Sequence, residues 1–485
     1  MSTSRSILVV DVGTSGLRAA IVRPDSSVHH VHYRATPPEI PFPGLVEFDA
    51  EALAASVLEV ARLALAAGGP VAAVGITNQR ASTIVWDRAT GRPVGPALGW
   101  QDLRTVGECL MAKAEHGFTI APNQSVTKLA ALLNAHDPDR TRDLCFGTVD
   151  TWIAWTLSGG RLHVTDRTNA GVTGMLLADG SGWNDRVLEA FRIPAGVLPT
   201  LVDTYGAIGE ASELPGSPVI AGLAGDQQAS LLGQGCVQAG LAKITFGTGG
   251  MLDVCTGGPP PATSNRSASG TFPIIAWAGG GGIVWGAEAI MLSAGSNVDW
   301  LCEDLGLIAT PAESHEVAAS VTGSDGVVYV PALMGLGTPQ WDYGARGALL
   351  GITRGTTRGH VVRAVLEGVA QRGADLVAAA EDHSGLTIPA LRIDGGMSAN
   401  PTFVQALADA TGRPVEVSPV TEATTLGAAY LAGVAVGTWD SIADLAELWN
   451  PSHVVEPNGP ADRAQWARAV ERSRSWIPEL SALDF

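Results

Sequence analysis

Two α/β lobes are expected of this 485-residue chain, on three observations. Apolar strand-type runs alternate with helix-type runs over most of the length, the pattern of mostly buried sheets covered by helices. The length exceeds what one hydrophobic core serves; at about 150 residues per domain it allows roughly two to four domains. A tight turn rich in Gly and Thr follows an apolar strand near the start, Gly13-Thr14-Ser15-Gly16, and again near the middle, Gly247-Thr248-Gly249-Gly250. With 46% apolar and 16% charged residues, the composition is that of a chain with ample cores and excludes wholesale disorder.

The elements follow in order. Met1 to Arg5 lead into a strand over 7–10 that ends at Asp11, too short an apolar run for a secretory signal. The first tip turns this strand into a second over 19–22, with Arg18 at its start. His29, His30 and His32 stand among Val28, Val31 and Tyr33 and read as a polar strand face rather than a metal site. Asp49 caps a helix that runs to Ala67, with Leu53, Val57, Val60 and Ala64 on one stripe and Gly68-Gly69-Pro70 ending it. A buried strand over 71–76 then delivers Thr77-Asn78-Gln79-Arg80. Asp137 and Asp139 read as a solvated loop. The apolar run 219–224 passes into Gly225-Asp226-Gln227-Gln228, a strand-to-helix junction. The division between lobes falls at Gly235 to Gly240, giving lobes 1–239 and 240–485. Beyond it, a strand over 241–246 leads to the second tip and a strand over 251–254. The uncharged stretch 267–287 is broken by Pro273 and by Gly279 to Gly282, so it reads as two strands around a turn and not as a membrane span. A strand over 391–393 ends in Asp394-Gly395-Gly396 before a helix over 403–410.

Charge narrows the possible partners. The net charge is −18, and Lys113, Lys128 and Lys243 are the only lysines, so no basic stripe exists to neutralise nucleic acid. An acidic surface repels anions at long range. A phosphorylated ligand must therefore be held locally, by backbone amides, a metal ion and a few arginines. The five cysteines form no C-x-x-C pair and suit a reducing cytosol.

Several clusters bear chemistry. At the first tip, glycines let the backbone approach an anion, Thr14 and Ser15 add hydroxyl donors, and Arg18 adds charge. Asp11 at the strand end suits magnesium held through water. Thr248 repeats the arrangement, and two such tips across a cleft would grip a triphosphate; each alone is equally an ordinary hairpin turn. Asp226 is the candidate base for moving a proton from a hydroxyl during phosphoryl transfer, or else a helix N-cap. Arg80, Gln227 and the face of Trp100 suit a polyol or sugar, with a packed core tryptophan as the alternative for Trp100. The Gly395-Gly396 pair is either an adenine-binding edge or a plain turn. No lysine follows a glycine, so no P-loop exists, and there is no H-R-D catalytic loop.

Taken together, these stretches resemble the FGGY carbohydrate kinases over essentially the full length, and within them the glycerol kinases. The matching segments are Asp11-Val-Gly-Thr-Ser with Arg18, Gly75-Ile-Thr-Asn-Gln-Arg80, Trp100-Gln-Asp, Phe146-Gly-Thr-Val-Asp-Thr-Trp152 and Val164-Thr-Asp-Arg-Thr-Asn169. Gly225-Asp-Gln-Gln228, Phe246-Gly-Thr-Gly249, Gly335-Leu-Gly-Thr-Pro-Gln-Trp-Asp342 and Gly347-Ala-Leu-Leu-Gly-Ile352 continue the match. The resemblance implies two actin-like, ribonuclease H-like lobes that close on ATP and magnesium in a central cleft. It implies a homo-oligomer, dimer or tetramer, that phosphorylates a small polyol or sugar in the cytoplasm. It implies Asp226 as base, Asp11 near magnesium, and Thr14, Ser15, Arg18 and Thr248 around the phosphates. Gly295, Gly396 and Asn400 match nucleotide-pocket positions, while Asp299 stands where glycerol kinases usually carry Gln.

Departures fall where the acceptor would be chosen. Ala81 replaces a Glu, Asn123 a Tyr and Met251 a Phe of the glycerol kinases, which opens space for a longer polyol or a ketose. A lost carboxylate partner for a substrate hydroxyl costs about 1–3 kcal/mol. The segment Glu213-Leu-Pro-Gly-Ser-Pro218 lacks the glycine-rich loop through which some glycerol kinases bind a sugar bisphosphate, so no such inhibition is expected. Two other functions compete: a decayed kinase kept as a sensor, disfavoured by the intact Asp11 and Asp226, and a protein-binding actin-like ATPase, disfavoured by Arg80 and Trp100.

Overall fold

Strand Ile7–Val12 is buried along its whole length because it lies inside a six-stranded sheet. The computed structural model describes residues 5–420 and 422–484. Across the first sheet the strands run 205–210, 219–225, 73–78, 7–12, 16–22 and 28–35. The three central neighbours 219–225, 73–78 and 7–12 are parallel, and 7–12, 16–22 and 28–35 form an antiparallel meander.

The second sheet repeats this plan. Its strands run 272–279, 282–291, 250–257, 242–246, 391–394, 415–417 and 453–455. Strands 242–246, 250–257, 282–291 and 272–279 are antiparallel in that spatial order, with 272–279 at the edge, and 242–246, 391–394 and 415–417 are parallel. The two Gly/Thr tips therefore occupy equivalent places, each joining the first two strands of its sheet.

Helix Ala50–Gly68 forms as its sequence dictates, with the Asp49 carboxylate accepting from Ala52 N at 3.0 Å and Leu53, Val57, Val60 and Ala64 buried. The stretch 267–287 yields the hairpin strands Phe272–Gly279 and Gly282–Met291. The strand expected over 71–76 is Ala73–Asn78: its polar end is carried on by pairing of Thr77 and Asn78 with Asp11 and Val12. Asp137 departs from the solvated loop expected of it. It is buried, and its carboxylate accepts from the amides of Thr141 (2.9 Å) and Arg142, while Asp139 is exposed.

Helix Ala423–Ala435, late in the chain, packs on the first sheet and against helix Asp226–Gly233. Small residues make this possible. A Cβ on Gly75 would lie 2.3 Å from the Ala428 carbonyl, and one on Gly427 would lie 1.8 Å from the Ala229 carbonyl. Ile7, Val9, Ala221 and Leu231 share one core with Leu426, Ala429 and Leu431, so residues from both ends of the chain close over the same apolar surface. No helix among the described residues is long and apolar enough to cross a membrane.

Candidate active site

Strand pairing sets Asp11 directly opposite Arg18, and the Arg18 Nε lies 3.6 Å from Asp11 Oδ2. Arg18 also pairs with Glu422, which precedes helix Ala423–Ala435, and Thr425 on that helix reaches Asp11 at 3.4 Å. Burial lifts the Asp11 carboxyl to about 6; Arg18 opposes the rise and the charge of Asp226 adds to it. Asp11 and Asp226 thus feel one another along the C-terminal end of the first sheet, where their strands flank strand 73–78. At the tip, Gly13 N bonds Gly16 O at 2.9 Å, Ser15 is exposed, and the Thr14 hydroxyl accepts from Trp100 Nε1 at 3.1 Å.

The second tip is wedged between two other turns. The amides of Ala294 and Gly295 donate to the carbonyls of Thr248 and Gly247, both at 2.8 Å. Gly395 has φ +88°, and a Cβ there would lie 2.4 Å from the Phe246 carbonyl. Only glycine permits that backbone approach. Thr248, Asp299 and Gly396 are exposed around this junction. The Asn400 side chain is engaged twice, capping helix Pro401–Thr411 through Phe403 N (3.1 Å) and donating to Ser314 Oγ (2.9 Å). Thr248, Gly295, Gly396 and Asn400 are brought to one edge of the second sheet, and Asp299 ends the short helix beside them.

Arg80 and Asp226 meet because strands 73–78 and 219–225 are adjacent and parallel, so their C-terminal ends emerge side by side. Asp226 is the first residue of its helix, not the cap; Gly225 is the cap, and Asp226 Oδ1 accepts from Gln227 N at 2.8 Å. Arg80 Nε lies 3.5 Å from Asp226 Oδ1, while Arg80 Nη2 bonds Glu288 Oε2 at 2.6 Å and Nη1 reaches Gln228 Oε1 at 3.4 Å. Burial raises the Asp226 carboxyl above its usual range, chiefly opposed by Arg80. It also pushes Glu288 up to about 7 despite the same arginine. The carboxylates of Glu288, Asp226 and Asp253 in turn keep Arg80 firmly protonated against the cost of its burial. Lys243 Nζ donates to Gln227 Oε1 at 2.7 Å.

The backbone at Ala81, Asn123 and Trp100 is held by Ser125 and Lys128. Lys128 Nζ donates to the carbonyls of Pro122 and Asn123, both at 2.9 Å, and lies 3.5 Å from that of Trp100. Ser125 Oγ donates to the Ala81 carbonyl at 2.9 Å. Ala81 is buried with φ +63°, a conformation that is costly for a residue with a Cβ and that clusters at functional sites. Asn123 is exposed, and Met251 lies half-buried on strand Gly250–Gly257. Trp100 is half-buried with its indole N–H spent on Thr14, so it ties its own turn to the first tip.

A second layer stands behind both key residues. The Thr168 hydroxyl accepts from Gly225 N at 2.9 Å and donates to Asp166 Oδ1 at 2.9 Å. Asn169 bonds Asn78 at 2.9 Å, two residues before Arg80. Asp150, held by Thr148 and Thr165, supports the Asp166 backbone. Sequence reading gave no role to Glu288, Lys243, Asp253, Thr168 or Asn169. The usable signal was charge in apolar company: Lys243, Asp253 and Glu288 each interrupt a strand whose neighbouring residues are apolar. No group of three or more His, Cys, Asp or Glu able to hold a metal exists among the described residues, the histidines of strand Val28–Ala35 included. A cavity of about 660 Å³ lies away from this cluster, lined by His315, Tyr329, Glu367, Gln405 and Trp466.

The chain is similar to known proteins over nearly its whole length. Residues 6–233 match the N-terminal domain and residues 242–436 the C-terminal domain of the FGGY family of carbohydrate kinases. Glycerol kinases of Dechloromonas aromatica and Aromatoleum aromaticum are each 42% identical, over 97% of this chain and 98% and 99% of theirs. The crystal structure of Plasmodium falciparum glycerol kinase with ADP superposes with a TM-score of 0.89 at 28% identity, covering 96% of this chain and 98% of that one. The xylulose kinase of Rhodospirillum rubrum shares the fold, with a TM-score of 0.81 at 24% identity over 96% of this chain and 97% of its own. Matched by both domain models and by relatives along nearly its whole length, the chain belongs to the FGGY family of carbohydrate kinases and is an ATP-dependent kinase of polyols or sugars.

Proposed function

We propose that the chain transfers the γ-phosphoryl group of ATP to a hydroxyl of a small polyol, glycerol first among them, with Asp226 as the base. The observation that carries this is the contact of Arg80 with Asp226 at 3.5 Å, beside Gln227 and within electrostatic reach of Asp11. Arg80 and Gln227 bind the acceptor hydroxyls, and the face of Trp100 covers its C–H surface. Asp226 accepts the hydroxyl proton as the oxygen attacks; the new O–P bond forms while the bond from the γ-phosphorus to the β,γ-bridging oxygen breaks, and ADP leaves. Thr14, Ser15, Arg18 and Thr248 hold the phosphates, and Gly295, Asp299, Gly396 and Asn400 border the nucleoside. Lobes 1–239 and 240–485 close about this cleft and exclude water.

A magnesium nucleotide fits the residues present. Asp11 is a buried carboxylate at the foot of the first tip, paired with Arg18 and suited to an ion that keeps most of its water, and no group of three or more His, Cys, Asp or Glu able to hold a metal surrounds it among the described residues. When bound, the ion neutralises charge on the β- and γ-phosphates. Five free thiols suit a reducing cytosol, and sedimentation would read the homo-oligomeric state the family leads one to expect.

Ala81 favours a second acceptor class. A methyl group stands there in place of a carboxylate, and with Asn123 and Met251 it leaves room for a longer polyol or a ketose. Coupled ADP release with ATP and magnesium, over polyols and sugars of three to six carbons, tests both readings against Asp226→Ala. Dominant kcat/KM for glycerol, lost in the variant, supports glycerol; dominance of a longer acceptor supports the second class. No acceptor-dependent turnover across the panel overturns the proposal.

A further inference from the structure

Antiparallel pairing sets Lys243 opposite Asp253 and Asp253 opposite Glu288, so three charged side chains stand in a row across the second sheet. Lys243 and Asp253 are fully buried and Glu288 is 5% exposed. Burying such a row is expensive unless every member is paired. Lys243 Nζ lies 2.8 Å from Asp253 Oδ2, which balances the middle of the row. Its two ends reach across to the first lobe: Lys243 donates to Gln227 Oε1, and Glu288 Oε2 accepts from Arg80 Nη2 at 2.6 Å.

Arg80 therefore has two carboxylates within reach and uses them unequally. Glu288 takes the short bond, and Asp226 is left at 3.5 Å on Nε. A carboxylate clamped by a guanidinium is stabilised in its charged form and is a weaker base; a loosely paired one accepts a proton more readily. We propose that Glu288 is a positioning residue: by holding Arg80 Nη2 it aims the guanidinium at the acceptor and keeps Asp226 open to receive the acceptor's proton. This rests on the function proposed above. Glu288 acts from the opposite lobe, so the arginine takes its working direction only when the two lobes face each other.

The test uses the full chain with Glu288→Gln, which keeps the shape and removes the charge, and Glu288→Asp, which keeps the charge on a shorter stem. With the best acceptor of the panel, Glu288→Gln is expected to lower kcat/KM by about 10- to 100-fold, the cost of a misplaced contact of roughly an ångström. KM for ATP stays within about twofold, and Glu288→Asp recovers part of the loss. In a crystal structure of Glu288→Gln, Arg80 turns onto Asp226. Unchanged acceptor kinetics, or a loss that Glu288→Asp does not relieve and that falls equally on ATP, overturns the inference. A wild type that phosphorylates no acceptor overturns the kinase reading instead, and the position of Arg80 in the Glu288→Gln crystal still decides this one. Should Glu288→Gln fail to fold, Glu288→Asp carries the test: acceptor KM raised with ATP KM unmoved supports it, and equal changes in both refute it.

Discussion

Gly225→Ala probes how tightly Asp226 and Arg80, the proposed base and acceptor-binding arginine, are packed. Gly225 has φ −61° and ψ 150°, which any residue adopts, so the backbone offers no objection to alanine. The objection is steric. A Cβ at this position would lie 2.6 Å from Arg80 Cδ, 2.7 Å from Cγ and 2.8 Å from Gln228 Oε1. Carbon atoms in contact sit about 3.5–4.0 Å apart, so the arginine stem must give way by roughly 1 Å. Its far end is fixed on Glu288 at 2.6 Å, so the shift cannot be absorbed by a free swing. A misplacement of that size costs about 100-fold in rate, or about 2.7 kcal/mol of transition-state stabilisation. Overpacking adds about 1–3 kcal/mol to the folding cost. Coupled ADP release should therefore show kcat/KM for the acceptor down about 100-fold, with KM for ATP little changed. In an Arg80→Ala background the two colliding carbons are gone and only the Gln228 Oε1 contact at 2.8 Å remains, so Gly225→Ala should add much less than it does in the wild type. A single variant within about threefold of wild type, or the same loss in both backgrounds, would refute this account of the packing.

Three more outcomes follow from the surrounding network. Thr168→Val strips the Gly225 amide of its acceptor and should lower the unfolding midpoint by roughly 2–10 °C in differential scanning fluorimetry, with Thr168→Ser near wild type. Gly395→Ala places a Cβ 2.4 Å from the Phe246 carbonyl at φ +88°, and should raise KM for ATP several-fold while KM for the acceptor holds. Asp150 is raised from 3.8 to about 7 by burial and by Asp166, so the folded state keeps a proton that the unfolded state loses between those values. The stability this represents is complete below about pH 4 and is lost as pH rises through 7, so the unfolding midpoint should fall over that interval. Asp150→Asn should flatten that fall; an equally steep decline in the variant would assign it to other groups.

Much of this site lay in plain view along the chain. Asp11, Arg80 and Asp226 each lie within two residues of the end of an apolar strand, and glycines mark both tips, because a buried strand and a tight turn are local demands that neighbouring residues alone must meet. The Asp49 cap and the hairpin 272–291 were legible for the same reason. Asp137 was misjudged because its carboxylate satisfies amides that only the folded loop brings to it. Ala81, Asn123 and Trp100 could be named individually, but their linkage through Lys128 and Ser125 could not.

The sequence by itself determined the strands, the repeated tips, the class of chemistry and the residues that end each strand, since hydrophobic period, turn composition and short motifs are properties of contiguous residues. Only the tertiary structure decided which charges meet. The register of three strands aligned Lys243, Asp253 and Glu288, and the apposition of two lobes brought that row to Arg80 and Gln227, over separations of 208 and 16 residues. It also decided that helix Ala423–Ala435 serves the first sheet, through glycines that admit its backbone. Charge pairing and close packing depend on distance in space, and between residues far apart in the chain that distance is set only by how the lobes pack.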